Sequence, residues 1–151
     1  ARQTIARADL TGKRDVAAAT RARMERQSAL YEPGRRFEFL LGEPALRRQV
    51  GAANVMQAQL DRIVSAATLE QVTIGVLPLT GTAQIDYGFG IYTADVTVAE
   101  HLELPHALLT LTDPKDVQTY EQLWKQLTYD ALFDEEAGDF IRRVASEVAE
   151  G

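Results

Sequence analysis

Cysteine is absent from the sequence, which excludes disulfides, a thiolate nucleophile and any metal site built on cysteine. That absence fits a reducing compartment. No uninterrupted apolar run is long enough to span a bilayer, and Ala1-Arg2-Gln3 begins no signal peptide, so a cytoplasmic protein with no membrane partner is expected. A Gly-x-Ser-x-Gly nucleophile motif is missing, and Ser28, Ser65 and Ser146 fall in helical stretches without a local base. Gly81 follows a strand-ending Pro78, yet no glycine fingerprint, Lys-Ser/Thr pair or helix start comes after it, so a phosphate loop has no support. These gaps argue against an enzyme and imply no cofactor.

What is present is one ordinary domain's worth of chain, 151 residues, enough to bury a core without covalent staples. The net charge of −6 conceals an asymmetry. Residues 1–62 hold 12 Lys and Arg against 7 Asp and Glu, and residues 63–151 hold 4 against 15. The two halves should attract each other within a chain or across a dimer, and the acidic total argues against nucleic-acid binding by this chain alone.

The chain begins inside an apparent helix, Arg2 to Leu10, with no initiating methionine, as expected of a fragment in which residues 1–14 end a preceding helix or connector and 15–151 form the domain. Asp15 is placed to cap a helix running to about Tyr31, where Pro33-Gly34 stops it. Its apolar stripe, Val16, Thr20, Met24 and Tyr31, is narrow, and Arg21, Arg23 and Arg26 make the rest basic. Phe37 to Leu41 reads as a short buried strand, Glu43-Pro44 as a helix start, Gly51 as a break, and Ala52 to Ala67 as a core helix with Ala53, Met56, Leu60, Ile63, Val64 and Ala67 on one face. Further strands are predicted at Gln71–Pro78, Tyr87–Thr93, Val96–Leu104 and Ala107–Thr112, the last two joined by a turn at Pro105-His106. Gly88 and Gly90 read as marking a bulge or a close approach of the backbone. Asp113-Pro114 opens a helix with Val117, Tyr120, Trp124, Leu127 and Ala131 inward, which puts the only tryptophan in the core or an interface. Asp134-Glu135-Glu136 starts the last helix, with Ala137, Phe140, Ile141, Val144 and Val148 inward. The sum is an α+β fold with a mixed, mostly antiparallel sheet of about five strands packed with amphipathic helices; the three consecutive later strands favour an antiparallel meander, and the first two, joined through helices, could be parallel.

Two constellations could carry chemistry. His101, Glu103 and His106 could form a metal site, but the set lacks the further strong ligands that a metal centre needs, so an exposed sheet face is the better account and a metal-dependent enzyme remains only the alternative reading. Arg23, Arg26, Glu43 and Arg47 could converge, because the helix carrying the first two returns the chain to the first strand. Such a cluster is either a structural network or a holder of an anionic ligand or a partner's carboxylate. Phe89 and Trp124 are candidate pocket or interface aromatics.

Several of these residues also stand in a familiar order. Arg23-x-x-Arg26-Gln27, the strand followed by Glu43-x-x-Leu46-Arg47, then Gly51, Met56-x-x-Gln59-Leu60, Val72-Thr73-x-x-Val76-Leu77-Pro78 and Phe89 resemble the C-terminal domain of actinobacterial helix-turn-helix regulators of the XRE type. The resemblance covers nearly the whole chain, although Leu102 to Leu111 departs from the family pattern. It implies that an N-terminal helix-turn-helix, absent here, reads DNA. This chain would then be the effector- or partner-binding and dimerising half of an antitoxin-like transcription regulator. The implied partners are a second copy and either a small protein encoded by a neighbouring gene or a small-molecule effector. No catalytic or metal-binding residue carries over. A purely structural dimerisation module is the remaining alternative.

Overall fold

A computed structural model describes residues 16–81, 87–93, 97–104 and 107–150. Along the chain, helix α1 (Val16–Gln27) continues into a 3-10 turn at Ser28–Tyr31, followed by β1 (Phe37–Gly42), α2 (Glu43–Arg47), α3 (Ala53–Ala66) and β2 (Val72–Leu77). Then come β3 (Gly90–Thr93), β4 (Thr97–Leu104), β5 (Ala107–Leu111), α4 (Pro114–Asp130) and α5 (Asp134–Glu150). The chain divides into two compact units, one formed by the chain up to Val76 together with Leu132 onward, the other by Leu77–Ala131.

The first unit is built on α3, α5 and the pair β1–β2. The Phe37 amide donates to the Gln71 carbonyl at 2.9 Å, start of strand beside start of strand, and the two strands run parallel. A parallel pair needs a crossover, which α2 and α3 supply. Leu60, Val76, Ile141 and Val144 are almost fully enclosed, and Leu46, Val72, Ile74, Ala137 and Phe140 complete the core. Each large aliphatic side chain among them contributes about 1.5–3 kcal/mol on leaving water. Met56 and Leu60 are buried on the expected inward face of α3, and Ala137, Phe140, Ile141 and Val144 on that of α5. Ala67, however, is exposed past the end of α3, and β1, expected to be buried, has no buried residue and exposes Phe39. Chain breaks fall where the left-handed backbone demands glycine, at Gly34 (φ 81°) and Gly51 (φ 94°).

Helix α1 differs from expectation. Met24 and Tyr31, half of its predicted apolar stripe, are exposed, and regular α-helix ends at Gln27. Its C-terminal end and the turn after it are tied down by Leu30, which packs against the core, and by polar contacts: Arg62 Nη2 donates to Gln27 Oε1 at 3.2 Å, and Gln71 Nε2 to the Leu30 carbonyl at 2.5 Å. Three apolar residues spread over sixteen positions make too narrow a stripe to commit a helix to a core.

The second unit is an antiparallel meander, β3–β4–β5, with α4 packed on β3 and β4. Gly90 pairs with Glu100 and Thr93 with Thr97 across the first hairpin, and Leu104 pairs with Ala107 across the second. Helix α4 starts as predicted: the Asp113 carboxylate accepts from the Lys115 amide at 2.9 Å, and Pro114 takes the first helical position, where an amide would have no partner. Val117 and Leu127 are buried on its inward side.

Two expectations need correction. The five strands do not form one mixed sheet; they form a two-stranded parallel pair and a separate three-stranded antiparallel sheet. The backbone of β2 at Val76 is taken by Leu132, through an antiparallel bridge with N–O distances of 2.9 and 2.8 Å. The residue bridged to that end of β2 thus comes from the segment just before α5. No close approach of backbone is found at Gly88, where a Cβ would meet nothing within 4 Å among the described residues; one occurs at Gly75, where a Cβ would sit 2.6 Å from both Leu40 Cδ2 and Phe133 Cε1. The strand irregularity falls on β4, between Glu100 and Leu102.

Candidate functional site

In the first unit, Pro44 starts the short helix α2, whose single turn sets Glu43 and Arg47 four residues apart on one side. Arg47 Nε donates to Glu43 Oε1 at 2.5 Å, and Arg47 Nη1 bonds Glu147 on α5. Both carboxylates hold the guanidinium above its ordinary pKa, the Glu147 hydrogen bond contributing most. The arrangement inverts the expected one, since an arginine stands between two carboxylates rather than a carboxylate between arginines. With two of its donors committed to Glu43 and Glu147, Arg47 acts as a clasp between α2 and α5. The clasp is partly open to solvent, so screening keeps its worth small.

The four charged residues predicted to converge do not all meet. Arg26 is exposed on α1 and has no ion pair among the described residues, and the side chain of Arg23 lies outside them. Glu147 was not foreseen. Its pairing with Arg47 spans 100 positions, and no local spacing signals it.

In the second unit the two predicted aromatics do come together. Phe89, in the segment entering β3, lies 5.1 Å from the Tyr120 ring at 58° and 6.2 Å from the Trp124 ring at 88°. Inclined contacts of this kind suit the quadrupoles of aromatic rings. All three rings are half-buried, and Tyr87, two residues before Phe89, is exposed. Asp116, Tyr120 and Trp124 occupy positions i, i+4 and i+8 of α4 and so share one face, with Asp116 at the solvent end. The Tyr120 phenol is raised above its ordinary pKa, first by burial and then by the charges of Tyr87 and Asp116. The i, i+4 spacing of Asp116 and Tyr120 was the available sequence signal for this extension of the site.

The predicted His101, Glu103 and His106 set lies outside the described residues: β4 carries the backbone of the first two, their side chains are not described, and neither is His106. Among the described residues no group of three His, Asp or Glu is placed to hold a metal ion. An open groove on the first unit, between α3 and α5, is lined by Gln57, Asp61, Arg142 and Ser146, with Arg142 already paired to Asp139 at 2.7 Å. It gathers no nucleophile beside a base.

A family described as a domain of unknown function, DUF5753, matches residues 1–143 of the chain. No curated protein and no solved structure matches it.

Proposed function

The chain belongs to the DUF5753 family of domains of unknown function, and from that premise we propose that it is the effector- or partner-binding and dimerising domain of a DNA-binding transcription regulator. The regulator would be of the actinobacterial XRE helix-turn-helix type that the order of motifs from Arg23 to Phe89 resembles. The observation that carries this reading is the surface of the second unit. Leu79, Tyr87, Tyr92, Leu109 and Tyr129 are exposed in that unit, which also holds the cluster of half-buried Phe89, Tyr120 and Trp124. Tyrosine and tryptophan are enriched among the few residues that dominate binding energy where proteins meet partners, and leaving such side chains in water adds nothing to folding. Acidic net charge sets this chain against DNA phosphate, so operator contact falls to a separate domain. A cytoplasmic site of action goes with this reading, and among the described residues no helix is long and apolar enough to cross a membrane.

The mechanism is a population shift. A ligand or partner that prefers one arrangement of the dimer changes the spacing of two DNA readers, which must match the separation of operator half-sites. Light scattering on the chain, alone and mixed with the small protein encoded beside it, tests the proposal. A dimer whose mass or melting temperature rises on mixing, or whose melting rises with a small-molecule effector, is the expected result. A monomer whose mass and melting respond to neither would overturn it, and a dimer indifferent to every addition would leave a structural dimerisation module.

A further inference from the structure

The charge of the chain is distributed by unit. Residues 77–131 hold eight Asp and Glu against two Lys, a net −6, while the remainder holds fourteen acidic and fourteen basic residues. The whole net charge therefore belongs to the unit that carries the aromatic cluster. Within that unit the Asp116 carboxylate is exposed, has no ion pair among the described residues, and stands on the same face of α4 as Tyr120 and Trp124. Phe89 leans on both of those rings at 58° and 88°, so the rings do not cover one another face to face. Tyr87 is exposed two residues before Phe89.

Aromatic faces carry the negative part of a quadrupole and attract ammonium and guanidinium groups, and a neighbouring carboxylate in an acidic field adds to that attraction while repelling anions. We propose that Tyr87, Phe89, Tyr120 and Trp124, with Asp116 at their rim, form a binding site for an organic cation, a guanidinium or alkylammonium group with apolar surface beside it. The inference rests on the effector- or partner-binding reading and gives that ligand its chemical class. The cation can belong to a free molecule or to an arginine or lysine side chain of a polypeptide, since the recognising chemistry is the same.

Trp124 is the only tryptophan of the chain, so its fluorescence reports this site alone. The intact chain is titrated with N-acetylarginine amide, with an arginine-rich peptide free of aromatics, and with two controls, the uncharged citrulline amide and the anionic N-acetylglutamate amide. Saturable quenching or a spectral shift is expected with both arginine compounds and with neither control. Equal affinity for the amide and the peptide assigns the cation to a free molecule; tighter binding of the peptide assigns it to a polypeptide. Asp116→Asn should weaken binding about fivefold, Asp116→Glu should restore it, and added salt should weaken it in the parent chain more than in Asp116→Asn. Because Asp116 is exposed, both variants should keep the parent's circular dichroism.

Absence of a saturable change with either arginine compound would overturn the proposal. So would affinity for the citrulline or glutamate amide equal to that for the arginine amide, or indifference of binding to Asp116→Asn. In each of those cases a rise in mass or melting with the neighbouring small protein would still stand for the broader reading, so the two failures are told apart.

Discussion

Gly75 sits where β2 passes between Leu40 and Phe133, and a methyl group there would overlap both. Gly75→Ala should destabilise the first unit by about 1–3 kcal/mol, the usual cost of overpacking a close-packed site, measured as a lowered urea midpoint. Adding Phe133→Leu should return part of that loss, because the ring is one of the two neighbours that must give way. Tyr120 offers a second test. Its raised pKa means that the folded state holds the phenolic proton more tightly than the unfolded chain does. Its contribution is therefore complete below the ordinary tyrosine range, about pH 10, and is lost as pH rises through the folded value. Melting temperature should fall more steeply with alkali in the parent chain than in Tyr120→Phe. Equal slopes would mean that burial of this hydroxyl does not couple to folding.

At the scale of elements, the helix starts and the antiparallel meander of β3, β4 and β5 were legible, and the division of the strands into two sheets was not, for a physical reason. Helix ends are decided by neighbours in sequence. Asp113 and Pro114 start α4, and the apolar spacing of Ala137, Phe140, Ile141 and Val144 gives the buried face of α5. Asp113→Ala should accordingly cost about 1 kcal/mol by orphaning the Lys115 amide, and Asp113→Ser should recover most of it. Chemical denaturation monitored by Trp124 fluorescence, which lies on the same helix, measures both. Hairpin pairing in β3, β4 and β5 is local, but the pairing of β1 and β2 is decided by partners far along the chain. Alternation and turn residues located all five strands, but nothing local in Val72–Leu77 announces that Val76 will pair with Leu132. The candidate site divides in the same way. Phe89 and Trp124 were legible as aromatics at structured positions, and Asp116 and Tyr120 were within reach of the i, i+4 rule. The pairing of Arg47 with Glu147 depends on how α2 lies against α5, which no spacing within either helix encodes.

At the scale of the whole molecule, the second unit is a continuous insertion into a discontinuous first one. The chain leaves the first unit after Val76 and re-enters it at Leu132, and those two residues are hydrogen-bonded to each other through both backbone groups. The ends of the excursion are thus already as close as the two strands of a hairpin, and a short turn can join them with little loop-closure entropy. Among the described residues, the buried core cluster of the first unit, Leu46, Leu60, Val72, Ile74, Val76, Ala137, Phe140, Ile141 and Val144, is drawn from outside the segment 77–131. Replacing residues 77–131 by an Asn-Gly turn should therefore leave a chain that keeps the helical circular dichroism of α3 and α5 and melts cooperatively. It should also be nearly neutral, since the excised segment carries the net −6, and it should lose all response to cationic ligands along with Trp124. Calorimetry of the shortened chain decides the matter. A single cooperative transition means that the acidic, aromatic unit is a separable attachment to an independently folding core. A chain that lacks helicity at every temperature means that the inserted segment is part of what stabilises the first unit, and the two must then be treated as one folding body.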